Sequence, residues 1–501
     1  MTLCQSRFTL TIASIVGVPT PLGDEMRDRR LKLLLILTIL IIGAGALVIR
    51  TLPEQSSCGN STGLKSTIMR SRLTGEHFGG VWKYQLPSAR LPNAITVATD
   101  GSVWFGEQNL PGIGHILPNA TLVEYKWPFQ YPAPSFSTFI WGIAIWKGCV
   151  WASDQADSQL VGVNPSSGAI QTVKLDAESF PYTLTIGPNN SLWFTEVSAS
   201  KIGRIDDQFN LHEYSLPLAG TPGQIIFAND TLGYYVDTGN VGFVKPGVFS
   251  FNPDSFSPSQ VGPEVNLTAP TSLTLTSNGF FVAQHATSIV AAYSFRTNDW
   301  VFYPTSPVSY EDTTLPYFVA TNGSQVWFNE HYANRMAMID TQQSLLTEYS
   351  LSNPPTTKRN GIDNVLTFAL GDGKVWFTAL TGNFVGYVDG TYKPPFMISP
   401  PASSSIKLKP GRNINLTFAV SSVSPAPLTV QFADSESNTG QPQKIRMTTN
   451  VTEIQSSTGQ SEIVVNVKTD KTLATGNYML LVSVTDGLIS QGAYVTLQVT
   501  T

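Results

Sequence analysis

The sequence predicts an all-β protein built largely from a repeated unit, and three observations support that fold class. An aromatic strand recurs along the chain, as in VWFGE at Val103–Glu107 and VWFNE at Val326–Glu330. Tight-turn dipeptides such as Asp100-Gly101 and Asn278-Gly279 separate alternating apolar runs, which is typical of β-hairpins. Helical periodicity is absent from the region that contains the repeats.

An uncharged apolar run near the N-terminus, Leu33–Ile49, predicts a transmembrane signal anchor. Arginines and a lysine precede it, so the positive-inside rule places residues 1–32 in the cytoplasm. The chain is therefore expected to be a single-pass protein of the cell membrane, with the residues after the anchor outside the cell. A cleaved signal peptide is the alternative, because small residues around Ala46 resemble a cleavage site and would give a secreted protein. Met26 directly precedes the basic cluster and is a candidate translation start.

Seven copies of a four-strand unit fill residues 79–390, after a predicted linker at 50–78. Aligned on the first aromatic residue, the copies are marked by Trp104, Trp151, Trp193, Tyr234, Phe281, Trp327 and Trp376. One small sheet cannot bury both of its faces, so the copies must stack, and the sequence predicts a seven-bladed β-propeller. The seventh copy lacks a fourth strand. We expect GVWKYQLP, Gly80–Pro87, to supply it and close the ring.

The composition changes after a Pro/Ser-rich linker predicted at 391–405. Residues 406–501 contain short runs of alternating apolar and polar residues separated by turns, as in YMLLVSVTDG. This pattern predicts an immunoglobulin-like β-sandwich. A spacer or adhesion module is the expected role, since the segment contains no catalytic constellation.

The charge, the cysteines and the glycosylation sequons indicate which partners and which compartment suit these domains. Only 13% of residues are charged and the net charge is -5, which argues against a nucleic-acid partner. Cys58 and Cys149 are the one candidate disulfide in the exported part, and two free thiols are the alternative. The candidate N-glycosylation sites are Asn60, Asn119, Asn189, Asn229, Asn266, Asn322, Asn415 and Asn450. Four of them lie in turns expected to face away from the propeller mouth.

The third copy, Pro181–Pro217, reads PYTLTIGPNNSLWFTEVSASKIGRIDDQFNLHEYSLP. It resembles the repeat of the virginiamycin B lyase (streptogramin lyase) family, and the likeness extends over about residues 80–390. The resemblance implies a β-propeller. It also implies a lyase that opens a cyclic ester by elimination, with a divalent metal and with histidine and glutamate at one mouth of the propeller.

In that family the catalytic histidine follows the proline that opens a unit. Here the opening slots hold Asn93, Trp141, Tyr182, Gly223, Thr271, Tyr317 and Asn364, so none is histidine. His285 and His331, with Glu330 beside the latter, are the candidate catalytic replacements at the same rim. Solvated loop histidines without a chemical role are the alternative reading.

The mouth is also predicted to collect acids and aromatic side chains. Glu107, Asp154, Glu196, Asp237 and Glu330 end the aromatic strands and are the candidate ligands of a magnesium or calcium ion. Alternatively, each acid caps a turn or balances a basic neighbour in its own unit. Trp141, Tyr182 and Tyr317 are candidates for stacking on a sugar or aromatic ligand, with simple packing as the alternative.

These observations favour a membrane-anchored extracellular propeller that acts as a surface binding or structural module. Its partner would be an extracellular ligand or an envelope protein or glycan. The alternative is a metal-dependent lyase or hydrolase that acts on a cyclic ester or lactone. The missing opening-slot histidines and the alanine at the last acid slot, Ala379, weigh against the enzyme.

Overall fold

The structure is a computed structural model that describes residues 63–109, 111–129, 140–239, 245–358, 361–424, 426–436, 443–455 and 459–501. The predicted anchor at 33–49 and the sequon at Asn60 lie outside these residues. Among the described residues, no helix has the length and apolar character that crossing a bilayer requires.

Short antiparallel strands make up almost all of the regular structure, and each unit of the sequence forms its own meander. The strands up to the end of unit four are β1 (Thr67–Arg72), β2 (Gly75–Phe78), β3 (Val81–Gln85), β4 (Pro92–Val97), β5 (Val103–Glu107), β6 (Gly112–Ile116), β7 (Thr121–Lys126), β8 (Ile143–Trp146), β9 (Cys149–Asp154), β10 (Gln159–Val163), β11 (Ile170–Lys174), β12 (Pro181–Gly187), β13 (Ser191–Glu196), β14 (Lys201–Ile205), β15 (Leu211–Ser215), β16 (Pro222–Asn229), β17 (Leu232–Asp237), β18 (Gly247–Phe251) and β19 (Ser259–Gln260). Two single 3₁₀ turns interrupt this part, Pro188–Asn190 and Pro217–Ala219.

Units five to seven continue the same order. Their strands are β20 (Pro270–Thr276), β21 (Gly279–Gln284), β22 (Ile289–Ser294), β23 (Asp299–Pro304), β24 (Pro316–Asn322), β25 (Gln325–Glu330), β26 (Arg335–Asp340), β27 (Leu345–Ser350), β28 (Val365–Gly371), β29 (Lys374–Ala379) and β30 (Phe384–Asp389). The C-terminal strands are β31 (Phe396–Ser399), β32 (Ser405–Leu408), β33 (Asn413–Ser422), β34 (Leu428–Asp434), β35 (Ile445–Thr449), β36 (Glu453–Ile454), β37 (Gly459–Thr469), β38 (Gly476–Thr485) and β39 (Ile489–Val499).

The inner strands of the units form a ring. They are β4, β8, β12, β16, β20, β24 and β28, each contacts the next, and β28 contacts β4. The predicted closure is confirmed, because β3 pairs with β30 and gives unit seven the strand that its own sequence lacks. The core lies between neighbouring sheets: Trp193 of unit three, for example, packs with Ile225 and Tyr235 of unit four. Distant parts of the chain therefore share one rim.

In units one, three and seven, a glycine on the third strand lets the aromatic strand pack closely. Gly203 lies opposite Phe194 in the sheet of unit three. A Cβ at Gly203 would lie 2.1 Å from the Phe194 ring, so any larger residue would displace that ring. Gly114 and Gly386 hold the same register opposite Phe105 and Phe377. The glycine of the KIGRI pattern is thus a packing requirement in these three units.

Two predicted linkers contain strands. Within 50–78, β1 pairs with β7 on the outer edge of unit one and β2 pairs with β3 of unit seven. Within 391–405, β31 pairs with β33. The sequence of β1, TIMRSR, lacks a buried face, and its burial pattern is almost wholly exposed. Its register is set by the partner strand, so no pattern in its own sequence marked it.

The C-terminal strands form two sheets, and one of them is continuous with unit six. Strand β39 pairs with β27, so the meander of unit six extends into a nine-stranded sheet. The second sheet has the order β31-β33-β37-β35. At the junction, the Tyr494 hydroxyl donates to the Pro304 carbonyl at 2.9 Å. The propeller strands and the C-terminal strands belong to one compact unit, Cys58–Thr501. The C-terminal region is therefore packed against the propeller.

Candidate functional site

A cavity of about 900 Å³ opens at one end of the ring. Six opening-slot residues line it: Trp141, Tyr182, Gly223, Thr271, Tyr317 and Asn364. The seventh, Asn93, is buried and is not among the lining residues. Of the described residues that line this mouth cavity, none is Asp, Glu, Lys or Arg. A ligand in the cavity would therefore meet aromatic, aliphatic, hydroxyl and amide groups and two histidines.

A β-bulge follows the opening slot in most inner strands. The register shifts between Pro181 and Leu184 in β12 and between Pro316 and Val319 in β24. Strands β4, β16, β20 and β28 have equivalent irregularities. A bulge inserts an extra residue and changes the direction of the side chain there. This local irregularity explains how residues such as Tyr182 and Tyr317 reach the cavity from regular meanders.

The structure brings the two candidate histidines together. His285 Nε2 lies 3.1 Å from His331 Nδ1. His331 Nε2 lies 2.8 Å from the Asn364 side-chain oxygen. Both rings line the mouth cavity, and each follows the end of its unit's second strand. Units five, six and seven thus contribute one member each to a hydrogen-bonded row.

The neighbours of Asn364 indicate the tautomer of both rings. The Thr381 hydroxyl donates to the Ile362 carbonyl at 2.8 Å and accepts from the Asn364 amide nitrogen at 3.1 Å. The Asn364 oxygen therefore faces His331 and accepts from its Nε2–H. A neutral His331 ring then accepts at Nδ1 from the Nε2–H of His285. This places the free lone pair of the row on Nδ1 of His285.

The environment keeps His285 uncharged. Burial, reinforced by the nearby His331, lowers the pKa of His285 to about 4. The edge of its ring also faces Tyr317, with the ring centroids 4.5 Å apart. At neutral pH the His285 imidazole is thus a hydrogen-bond acceptor and a candidate proton acceptor.

The three candidate aromatic residues meet across the mouth. Tyr182 of unit three and Tyr317 of unit six bring their hydroxyl oxygens to 2.5 Å. Trp141 of unit two lies against both, at centroid distances of 5.2 and 5.9 Å. The three rings therefore pack on one another and form part of the cavity wall.

The five candidate metal ligands are placed differently. Their positions end the second strands as predicted, since Glu196 pairs with Pro181 and Glu330 pairs with Pro316. Their side chains, however, are buried inside the sheets and are not among the residues that line the cavity. Successive strand residues point to opposite faces, so an acid beside a mouth residue faces the sheet interior.

Each acid has partners within its own unit. Glu107 forms an ion pair with Lys126. Asp154 accepts from the Gln159 amide at 2.7 Å, and Asp237 accepts from the backbone N–H groups of Thr221 and Gly239. The surroundings of Glu196 and Glu330 differ, because each of these acids lies beside a second glutamate, Glu213 and Glu348 respectively.

The residues do not fit a divalent metal at the mouth. Across the described parts of the chain, no three His, Cys, Asp or Glu side chains are close enough together to hold one ion. Glu330, predicted to act with the histidines, faces Glu348 and Arg335 instead. The structure therefore does not assemble the expected metal set, and Glu330 is buried and is not among the residues that line the cavity with His285 and His331.

Seven sequon asparagines are described, and all seven are exposed. They are Asn119, Asn189, Asn229, Asn266, Asn322, Asn415 and Asn450. Asn189, Asn229 and Asn322 lie at the first hairpin of their units, at the end opposite the mouth residues. Cys149 is disulfide-bonded, and its partner lies outside the described residues.

The sequence profile of the Virginiamycin B lyase family matches residues 84–240. A solved structure of streptogramin B lyase is 21% identical, covers 61% of this chain and 96% of its own, and has a TM-score of 0.51. Virginiamycin B lyase from Staphylococcus aureus is 20% identical, covers 64% and 98%, and has a TM-score of 0.50. A catalytically inactive histidine-to-alanine variant of that protein, solved with quinupristin, is 19% identical to this chain and has a TM-score of 0.50. The match covers 64% of this chain and 99% of the variant. No curated protein matches the chain in sequence. These likenesses show a virginiamycin B lyase-like β-propeller fold.

Proposed function

We propose that this chain is an exported, membrane-anchored binding protein whose propeller mouth takes an uncharged, partly apolar ligand. The observation that carries the proposal is the mouth cavity of about 900 Å³, which is lined by aromatic and aliphatic side chains and has no Asp, Glu, Lys or Arg among its described lining residues. Cavities of this size with a few directed polar groups are typical ligand sites. In the same reading, the units are the blades of a seven-bladed propeller, and the C-terminal strands form an immunoglobulin-like sandwich.

Several features support the export of the chain. A disulfide at Cys149 suits an oxidising compartment. All described sequon asparagines are exposed, as glycosylation requires. The apolar run 33–49, preceded by basic residues, supplies the anchor. Membrane fractionation with mass-spectrometric mapping of the N-terminus and of the sequon peptides tests this part of the proposal. A soluble cytosolic chain without glycans would contradict it.

Binding is tested with a matched pair of probes that differ in charge. We expect coumarin to bind the full-length chain and coumarin-3-carboxylate to bind at least tenfold more weakly, because no Lys or Arg is among the described residues that line the cavity and could pair with a buried carboxylate. Ligand-observed NMR measures both affinities. Leu380→Trp, which fills the rim of the cavity, should weaken coumarin binding. Leu211→Trp, on the exposed outer strand of unit three, is the control.

The histidine row favours a second candidate function, a lyase acting on a cyclic ester. In the inactive Staphylococcus aureus variant, the changed residue is a histidine. Here, Nδ1 of neutral His285 would remove a proton from carbon. The released electron pair would form a carbon–carbon double bond as the ester C–O bond breaks and the carboxylate leaves. Because the residues present do not fit a metal at the mouth, no step is assigned to one.

A screen of cyclic esters tests the second candidate. If it is correct, His285→Ala should lower kcat/KM by about 10²- to 10⁴-fold, the usual contribution of a general base. The activity should be flat near neutral pH and fall as the pH approaches about 4, where His285 becomes protonated. Turnover that is unchanged by His285→Ala would remove this candidate and leave the binding proposal intact.

A further inference from the structure

The contact between Tyr182 and Tyr317 crosses the mouth between two units that are not neighbours. Their hydroxyl oxygens are 2.5 Å apart, and both side chains line the cavity. The position of Tyr317 is fixed at its backbone, since the hydroxyls of Thr271 and Ser272 donate to its carbonyl oxygen. Trp141 packs against both tyrosine rings. The two hydroxyl groups are thus held at a defined place in the cavity wall.

The hydrogen count of this pair leaves one donor unused. Each phenol carries one hydrogen and can accept as well as donate. One hydroxyl donates to the other, so the accepting hydroxyl keeps its own O–H. Among the described residues, neither phenol oxygen has another hydrogen-bond partner. The remaining O–H is therefore available to a group inside the cavity.

Both phenols stay protonated under ordinary conditions. Burial raises the pKa of Tyr317 to about 12. Burial and the neighbouring Tyr317 hydroxyl raise the pKa of Tyr182 well above its ordinary value. The pair is a neutral donor, and it lies close to a neutral acceptor because the edge of the His285 ring faces Tyr317.

We propose that the Tyr182–Tyr317 hydroxyl pair binds the carbonyl oxygen of an uncharged ligand, through the O–H that the pair does not use internally. The inference rests on the proposed binding function and specifies the ligand as a neutral carbonyl compound. A hydrogen bond from one phenol to another makes the second phenol a stronger donor, because linked hydrogen bonds polarise one another. A carboxylate would bring a net charge into a cavity whose described lining has no cation to pair with it.

The test compares coumarin with 2H-chromene, which has the same ring system but lacks the carbonyl oxygen. We expect the wild-type chain to prefer coumarin by about fivefold, the effect of one net hydrogen bond. In the Tyr182→Phe/Tyr317→Phe double variant, both rings remain and both hydroxyls are lost, so the preference should disappear. Each single variant keeps one hydroxyl and should retain most of the preference. Circular dichroism and thermal unfolding confirm that the variants fold.

A vibrational measurement tests the same bond without any variant. Isotope-edited infrared difference spectra of coumarin labelled with ¹³C at the carbonyl report the C=O stretch of the bound probe. We expect this stretch in the wild-type complex to lie below its frequency in hexane, as a hydrogen-bonded carbonyl does, and to return toward the hexane value in the double variant. A group that only shapes the cavity would not change the stretch.

The outcomes separate this inference from the function on which it rests. Equal affinities for coumarin and 2H-chromene, or a bound C=O stretch at the hexane frequency, would overturn the carbonyl assignment while leaving a neutral ligand site in place. Failure of both compounds to bind the wild-type chain at millimolar concentration would overturn the proposed function as well.

Discussion

The mouth of the propeller and the interiors of its sheets hold opposite kinds of polar groups. Hydroxyls, the amides of Gln155 and Asn364 and the imidazoles of His285 and His331 face the cavity, and the described lining has no Asp, Glu, Lys or Arg. Glu107, Glu196 and Glu330 are almost fully buried inside the sheets, although each ends a strand at that same rim. This difference shows that the acid at the end of the repeated strand is buried in its own sheet and contributes to the interior of that sheet, not to the cavity. On the proposed function, the ligand meets the groups that face the cavity and not these acids.

The buried acids also differ from one unit to another. In unit one, two glutamates face two cations: Lys126 contacts Glu107 and Glu124, and Arg90 donates to Glu124 at 2.6 Å. Opposite charges are therefore matched in this sheet. Burial still raises the pKa of Glu107, to about 7, because Lys126 offsets only part of the desolvation.

Unit six buries two glutamates with one cation. Burial and the neighbouring Glu348 raise the pKa of Glu330 to about 8. Arg335 lies 3.5 Å from Glu348, whose other oxygen accepts from the Ser306 backbone N–H. Tyr310 and Tyr494 also lie close to this pair. In unit three, burial and the neighbouring Glu213 raise the pKa of Glu196 to about 8, although Glu213 itself is exposed and Lys201 contacts both Glu213 and Asp176. In both units, burial beside a second glutamate favours the protonated form of the acid.

The largest effect is expected from removing a cation from unit one. Lys126→Met leaves two buried carboxylates facing Arg90 alone, and loss of one partner of a buried ion pair costs about 3–5 kcal/mol. Urea unfolding followed by tryptophan fluorescence measures the change. Adding Glu107→Gln to this variant should recover part of the loss, because it removes one of the uncompensated charges.

An exposed pair of the same residue types provides the control. Lys245 and Glu264 form an ion pair in which the side chains are 78% and 62% exposed, against 13% and 0% for Lys126 and Glu107. Lys245→Met should change the free energy of unfolding by no more than about 1 kcal/mol. Equal losses for Lys126→Met and Lys245→Met would mean that burial does not distinguish the two pairs.

A smaller effect is expected from the pH dependence of unit six. The folded-state pKa of Glu330 is about 8 and its ordinary value is 4.5, so folding favours the protonated form. This contribution to stability is complete below about pH 4.5 and is lost as the pH rises toward 8. The slope is at most about 1.4 kcal/mol per pH unit for each proton involved. The melting temperature of the wild-type chain should therefore fall between pH 5 and 8.

Glu330→Gln tests the origin of that slope. The amide does not ionise, so the melting temperature of this variant should vary less over the same range. Glu264→Gln, at an exposed position, should keep the wild-type dependence. His285 changes the stability in the opposite direction. Because its pKa is lowered in the folded state, folding favours the neutral imidazole, and this contribution to the free energy of unfolding is lost as the pH falls from 6.5 toward 4. A slope that Glu330→Gln leaves unchanged would assign the proton uptake to other groups.

Much of the propeller could be predicted from the sequence, because its signals are local. The aromatic strands recur in every unit, and the glycine opposite Phe194 recurs at the same position in units one and seven. Ring closure through Gly80–Pro87 followed from the same pattern and is confirmed by the pairing of β3 with β30. Strand β1 could not be predicted, since its exposed sequence carries no period and its place depends on β7.

The site was less predictable, because it depends on the directions in which side chains point and not only on their positions along the sequence. Sequence spacing placed the acids at the correct rim, but the alternation of side chains turns them into the sheets. The bulges in β12 and β24, which affect the direction of Tyr182 and Tyr317, leave no signal in one sequence. Asn364 was recognised as an opening-slot residue, yet its bond to His331 is visible only in three dimensions.

The smallest expected effect concerns one proton in the neutral mouth. With the pKa of His285 at about 4, ¹⁵N NMR should show this imidazole neutral from pH 8 to about pH 5, with its hydrogen on Nε2. In the urea-unfolded chain the same ring should titrate near its ordinary value of about 6.5. Asn364→Leu removes the acceptor that orients His331 and should change the tautomer of the row with little loss of stability, since Asn364 is only half-buried. A His285 ring that is charged at pH 6, or a hydrogen found on Nδ1, would contradict the assigned row and remove the contrast between the mouth and the acid-containing sheet interiors.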